Sequence, residues 1–176
     1  MHSEHLINEE SFAIILADDL IINNPSCISQ LISIHEEYEC SVIGVNAVPE
    51  SETDKYGVIS VDKTSPSQNT LYLKDIVEKP KSNAPSNLAV VGRYVLSSNI
   101  FKYLKNLEPT VGNEVQLTDA IKLMLNDEKV IGQLYEGTKF DCGSKYGYVK
   151  AIGLSLIHIS EPTRQEAISY AVFCVK

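Results

Sequence analysis

The stretch "FAIILADDL" (residues 12–20) constrains the fold more than any other: a continuous apolar run from Phe12 to Ala17 stops abruptly at Asp18 and Asp19. A strand that is buried on both faces reads this way when it reaches the edge of a sheet. Behind it, "CISQLISIHEEYE" sets Ile28, Leu31, Ile32, His35 and Tyr38 at helical spacing, with Pro25 and Ser26 as a start signal. "SVIGVNAV" (41–48) then returns to strand character. Strand, helix and strand with an apolar ribbon are the elements of a parallel sheet covered by helices.

The rest of the chain alternates differently. "YGVISV" (56–61), "TLYLKDIVE" (70–78) and "LAVVGRYVL" (88–96) are strand-like and are separated by turn-rich segments, so they are expected as antiparallel excursions laid over the parallel core. "SSNIFKYLKNL" offers serines as caps and carries Ile100, Tyr103, Leu104 and Leu107 on one face. "QLTDAIKLMLNDEK" is a second helix with Leu117, Ile121, Met124 and Leu125 in register. "VIGQLYEG" and "KFDC" complete the strands, and "GSKYGYVKAI" is compatible with a helix.

With 176 residues, 44% of them hydrophobic, the chain has enough apolar side chain for one globular core. Its net charge of −8, carried by scattered acids, opposes attraction to a nucleic-acid backbone or an anionic membrane surface. No apolar run approaches the roughly 20 residues that cross a bilayer, and "MHSEHLINEE" lacks the order of a secretory signal, so the expected location is cytoplasmic. Cys27, Cys40, Cys142 and Cys174 form no close pair, and the four histidines add no zinc-type set. Reduced thiols are expected, with Cys142 a small core residue on a strand.

Three constellations carry possible chemistry. In open α/β sheets ligands gather at the carboxyl ends of strands, which puts Asp18 in place to hold a hard cation. Asp141, followed by Gly143, repeats the arrangement in "KFDCGSKYGY". The competing reading is that these acids cap turns through their own backbone. The third is "IVEKP": consecutive strand residues point to opposite faces, so Glu78 and Lys79 share a pocket only where the strand ends or bends, and Pro80 supplies an end. Lys79 is then suited to a phosphate and Glu78, acceptor-only when ionised, to vicinal sugar hydroxyls. A solvated strand end is the alternative.

Taken in order, "FAIILADDL", "KYGVI", "IVEKP", "VVGRYVLS", "EVQLTDAI" and "FDCGSKYGYV" resemble, from about Leu6 to about Ile152, the central and C-terminal parts of the bacterial UTP–glucose-1-phosphate uridylyltransferases. The resemblance implies an α/β nucleotide-diphospho-sugar transferase fold, Rossmann-like, with a mixed, mainly parallel sheet between helices. It implies attack of glucose 1-phosphate on the α-phosphorus of UTP, with pyrophosphate leaving and Mg2+ as cofactor. By motif, Asp18 and Asp141 correspond to metal ligands, Asp18 and Lys79 to catalytic residues, and Gly57, Glu78, Lys79 and Val90 to the sugar-phosphate site. Members of that family commonly form homo-oligomers.

Two departures shape the expectation. The family's glycine-rich triphosphate loop has no counterpart, since no two of the nine glycines stand as G-x-G, so residues 1–153 are expected to be a partial domain, inactive alone. Residues 154–176, "LSLIHISEPTRQEAISYAVFCVK", resemble translated adapter tails rather than the family, although Pro162 with Ala167, Ile168, Ala171 and Val172 also fits a helix. The alternative functions are another sugar-1-phosphate nucleotidyltransferase, such as a thymidylyltransferase, or a non-catalytic sugar-nucleotide-binding module.

Overall fold

The computed structural model describes residues 4–7, 10–108, 115–158 and 173–175. In chain order the elements are β1 (Ser11–Ile15), β2 (Asp19–Ile22), α1 (Cys27–Tyr38), β3 (Ser41–Ala47), β4 (Gly57–Val61), β5 (Thr70–Glu78), β6 (Leu88–Ser97), α2 (Ile100–Lys105), α3 (Leu117–Met124), β7 (Val130–Leu134), β8 (Thr138–Asp141), α4 (Lys145–His158) and β9 (Phe173–Val175). Short 3₁₀ turns cover Glu4–Leu6 and Glu50–Lys55. The expected helix beginning at Pro162 lies outside the described residues. α4 runs continuously across residue 153, where the sequence reading places a boundary.

The main sheet has the order β3-β7-β5-β4-β6-β1-β9, with an additional pairing of β3 to β6. It is mixed, as expected, but not mainly parallel: among the described strands only β3 and β7 pair in parallel, and the other pairings are antiparallel, with β5 and β6 running against their neighbours. β1 and β3 run the same way with β6 antiparallel between them. β6 is therefore no excursion laid over a parallel core. Eight consecutive residues, Ala89–Leu96, are buried. Their side chains alternate between two core clusters. Val90, Tyr94 and Leu96 pack with Phe12, Ile43, Ile59 and Ile76 toward α2 and α3, whereas Val91 and Val95 pack with Ala13, Leu31, Val42 and Ile131 toward α1. Helices thus cover both faces, which is why the central strands read as apolar without alternation.

Local chemistry sets the helix ends. Ser26 caps α1, its Oγ accepting the Ser29 N–H at 3.3 Å, and Glu39 closes the helix in a left-handed conformation (φ 50°). The side chain of His35 is engaged there, with Nδ1 2.7 Å from the Cys40 carbonyl oxygen. The serines before α2 do not cap it as expected: Asn99 occupies the cap position without a side-chain bond. The Ser97 hydroxyl instead accepts the Asn99 N–H at 3.2 Å.

Candidate active site

Two residue groups gather where the parallel strands end. The first is built on a two-stranded sheet absent from the sequence reading, in which β2 pairs with β8 and Asp19 stands opposite Asp141. Asp18 occupies the turn between β1 and β2. The Cys142 N–H donates to the Asp18 carbonyl at 2.7 Å, and the Gly143 N–H donates to Asp141 Oδ1 at 3.0 Å. A Cβ placed on Gly143 would stand 3.1 Å from Asp141 Oδ1 and 3.8 Å from Asp18 Oδ2, so the two carboxylates approach one point. Cys142 is half-buried in the turn after β8, not in the core on a strand.

The Asp19 carboxylate is already engaged. Oδ1 is 2.9 Å from Lys139 Nζ, and Oδ2 accepts the Gly92 N–H at 3.2 Å. Arg93, 7% exposed, reaches the backbone of the same turn. Its guanidinium donates to the carbonyls of Leu16 (3.0 Å) and Gly92 (2.8 Å) and also to that of Asp19. Lys139 further lies 5.0 Å from the centre of the Tyr56 ring, next to the second group. These bonds lock the main chain of the turn, beside which the Asp18 side chain is exposed.

The second group joins β4, β5, β6 and α3. Gly57 stands opposite Glu78 in the β4–β5 ladder, and Val58 opposite Ala89 on β6. A Cβ on Gly57 would lie 2.9 Å from Thr118 Cγ2, 3.2 Å from Glu78 Oε2 and 3.7 Å from Val90 Cγ2, so the structure brings Gly57, Glu78 and Val90 together. Thr118 is the member that sequence reasoning missed; its hydroxyl donates to Glu78 Oε2 at 2.9 Å. Lys79 follows directly on the last residue of β5. It adopts a left-handed conformation (φ 43°), with its N–H donating to the Tyr56 carbonyl at 3.0 Å. The bend turns Lys79 back toward Glu78, and Nζ comes within 3.7 Å of Glu78 Oε1.

Tyr94 ties the groups electrostatically. Burial first, then the charges of Glu78, Asp19 and Asp18, push its hydroxyl up to about 12. Two clefts lie outside these groups. One, of about 780 Å³, is lined by Ser11, Ser41, Glu36 and Glu128 at the opposite, amino ends of β1 and β3. The other, about 640 Å³, lies beside Pro80 and the Glu50–Lys55 turn. The residues with matched chemistry stand at the carboxyl ends, where ligands of such sheets bind, and we assign the site on that basis.

Among the described residues no three acids, histidines or cysteines form a metal-binding group. Mg2+ needs only one or two carboxylates, keeping its other positions for water and phosphate oxygens, so the hard oxygen pair of Asp18 and Asp141 fits it.

The fold is a mixed sheet covered by helices, with acids and a lysine at its strand ends. The chain belongs to the nucleotidyl transferase family, whose model matches residues 1–156. It is 40% identical over 156 residues to a UTP–glucose-1-phosphate uridylyltransferase of Pseudomonas aeruginosa, covering 87% of this chain and 55% of the relative. To the enzyme of that name from Staphylococcus epidermidis it is 44% identical over 149 residues, covering 84% and 51%. The crystal structure of a UDP-glucose pyrophosphorylase complexed with UDP-glucose superposes with a TM-score of 0.82 at 40% identity, over 89% of this chain and 60% of the other. The chain spans about half the length of the curated relatives it matches. Among the described residues no helix is long and apolar enough to cross a membrane.

Proposed function

We propose that this chain carries the sugar-phosphate and metal-binding part of a UTP–glucose-1-phosphate uridylyltransferase. In the reaction, a phosphate oxygen of glucose 1-phosphate bonds to the α-phosphorus of UTP while the bond from that phosphorus to the bridging oxygen breaks, releasing pyrophosphate. Glu78 accepts hydrogen bonds from sugar hydroxyls, and the backbone at Gly57 and the side chain of Val90 line the sugar. Lys79 pairs with the sugar phosphate and orients it for in-line attack. A lysine about 4 Å from a phosphate charge gains roughly 4 kcal/mol at an effective dielectric near 20. At a side chain 61% exposed, solvent screening reduces this to about 1 kcal/mol. Asp18 and Asp141 are the residues that would hold Mg2+, which supplies charge neutralisation at the phosphates when bound. The enzyme works in the cytoplasm, with the intact protein a homo-oligomer.

The meeting of Gly57, Glu78, Val90 and Thr118 at one point carries this reading, since a strand end that merely met solvent would need no glycine there. Calorimetric titration with glucose 1-phosphate and UDP-glucose in Mg2+ tests it: binding that Glu78→Gln and Lys79→Ala weaken supports it, and binding indifferent to both refutes it. The alternative reading is a module that binds UDP-glucose without turnover. UDP-glucose formation from UTP and glucose 1-phosphate by the purified chain would exclude that reading. Competition between UDP-glucose and dTDP-glucose separates the uridylyl from the thymidylyl branch.

A further inference from the structure

We infer that Thr118 is a positioning residue for Glu78, fixing which carboxylate oxygen is offered to the sugar and hence how strictly the site demands a hydroxyl there; the inference rests on the function proposed above. Thr118 is 7% exposed at the start of α3, and the next turns are anchored by the fully buried Ala120 and Ile121. Its β-branched side chain has few rotamers to choose from. Both branches are used. Oγ1 donates to Glu78 Oε2 at 2.9 Å, and Cγ2 stands 2.9 Å from where a Cβ on Gly57 would be. The hydroxyl therefore occupies Oε2 and leaves Oε1, which faces Lys79 Nζ at 3.7 Å, for the ligand. An ionised carboxylate only accepts, so with one oxygen held by a buried donor the direction of the other is set before ligand arrives.

The two branches are separable by substitution. Thr118→Val keeps the methyl against Gly57 and removes the donor; Thr118→Ser keeps the donor and removes the methyl. Binding of glucose 1-phosphate and of its 2-deoxy and 3-deoxy analogues is measured by calorimetry in Mg2+ for the wild-type chain, both variants and Glu78→Gln, with thermal melts alongside. Thr118→Val is expected to weaken glucose 1-phosphate about 5- to 20-fold, the loss of one charge-assisted bond, and to shrink the penalty for the missing hydroxyl to within about threefold. Thr118→Ser is expected to stay within about threefold of wild type in both. A purely structural residue would lower affinity for all three ligands alike and leave their ratio unchanged, and that result overturns the inference. So does a Thr118→Val chain with wild-type ratios while Glu78→Gln has lost them. If the wild-type chain binds no sugar phosphate, or Glu78→Gln changes nothing, the sugar-site reading itself falls and takes the inference with it. Should Thr118→Val not fold, Thr118→Ala compared with Thr118→Ser isolates the hydroxyl, since both lack the methyl.

Discussion

Adding one methyl group at Gly57 tests the geometry of the sugar side most directly. The glycine is not required by its backbone, which is ordinary strand, so the cost of Gly57→Ala is steric. The new carbon would stand 2.9 Å from Thr118 Cγ2 and 3.2 Å from Glu78 Oε2, against an ordinary 3.7 Å from Val90 Cγ2. Carbon pairs are at their optimum at roughly 3.5–4.0 Å, so Thr118 or β4 must yield by more than about 0.5 Å. Overpacking of this kind costs about 1–3 kcal/mol, and the lower chain entropy of alanine returns roughly 0.4–1 kcal/mol. The net loss, of order 1 kcal/mol, corresponds to a Tm lowered by about 2–4 °C in a chain of this size. Calorimetric melting measures it, and titration with glucose 1-phosphate should show the larger effect because Glu78 is displaced. In Gly57→Ala/Thr118→Ser the tighter of the two contacts is gone. Stability should then largely recover, while binding stays weak because the contact with Oε2 persists. A Gly57→Ala chain that melts at or above wild type and binds sugar phosphate normally would refute the packing argument.

Four further outcomes follow from the structure. Lys79 pays for its left-handed backbone, a conformation that costs a non-glycine residue about 1–2 kcal/mol; Lys79→Gly should raise Tm by a few degrees on that scale while weakening glucose 1-phosphate binding, as melting and titration of one sample will show. Asp18→Asn should leave Tm within the narrow range of exposed surface changes, about ±0.5 kcal/mol, and lower Mn2+ affinity by electron paramagnetic resonance. Asp19→Asn, by contrast, strips a partner from Lys139 in a pair whose side chains are only 15% and 17% exposed. It should cost about 3 kcal/mol of stability. Burial pushes the Cys27 thiol up from 9.0 to about 11, against the opposing pull of Arg93. The neutral thiol favours the folded state, so this stability is complete below pH 9 and is lost as pH rises through 11. The amount is of order 2–3 kcal/mol. Urea titrations between pH 8 and 11 should show a steeper decline for the wild-type chain than for Cys27→Ala.

What the sequence discloses and what it hides divide by the range of the interactions. The β1–α1–β3 unit was legible because its signals are local: an unbroken apolar run, a Ser26 cap and helical spacing through Leu31. So was the end of β5 beside Pro80, whereas the left-handed turn at Lys79 was not. β2 was not legible. Its four residues, Asp19–Ile22, leave Leu20 and Ile22 exposed, and they become a strand only because β8 lies beside them from far along the chain. Thr118 was invisible for the same reason: at the start of a helix it is an unremarkable polar residue, and the bond that gives it a role reaches a strand 40 positions away. β6 is the instructive miss, since "LAVVGRYVL" already carries apolar residues on both sides of the strand, interrupted only at Gly92 and Arg93, the pattern of a strand covered on both faces.

That central strand also explains how one sheet holds two unlike groups in fixed relation. Within four positions, β6 supplies Val90 to the group around Gly57 and Glu78, the Gly92 N–H to the Asp19 carboxylate, and the Arg93 guanidinium to the carbonyls of Leu16 and Asp19. Gly92 is small for a second reason: a Cβ there would stand 2.5 Å from that of Leu16, so the chain leading to Asp18 lies directly on β6. Strand spacing fixes these positions to a fraction of a turn of chain, and neither group can shift without straining the buried ladder between them. A transfer reaction needs its phosphate and its cation held at one separation while charge moves between them. Placing both supports on neighbouring residues of the most deeply buried strand, rather than on separate loops, meets that need with the least freedom left in the chain.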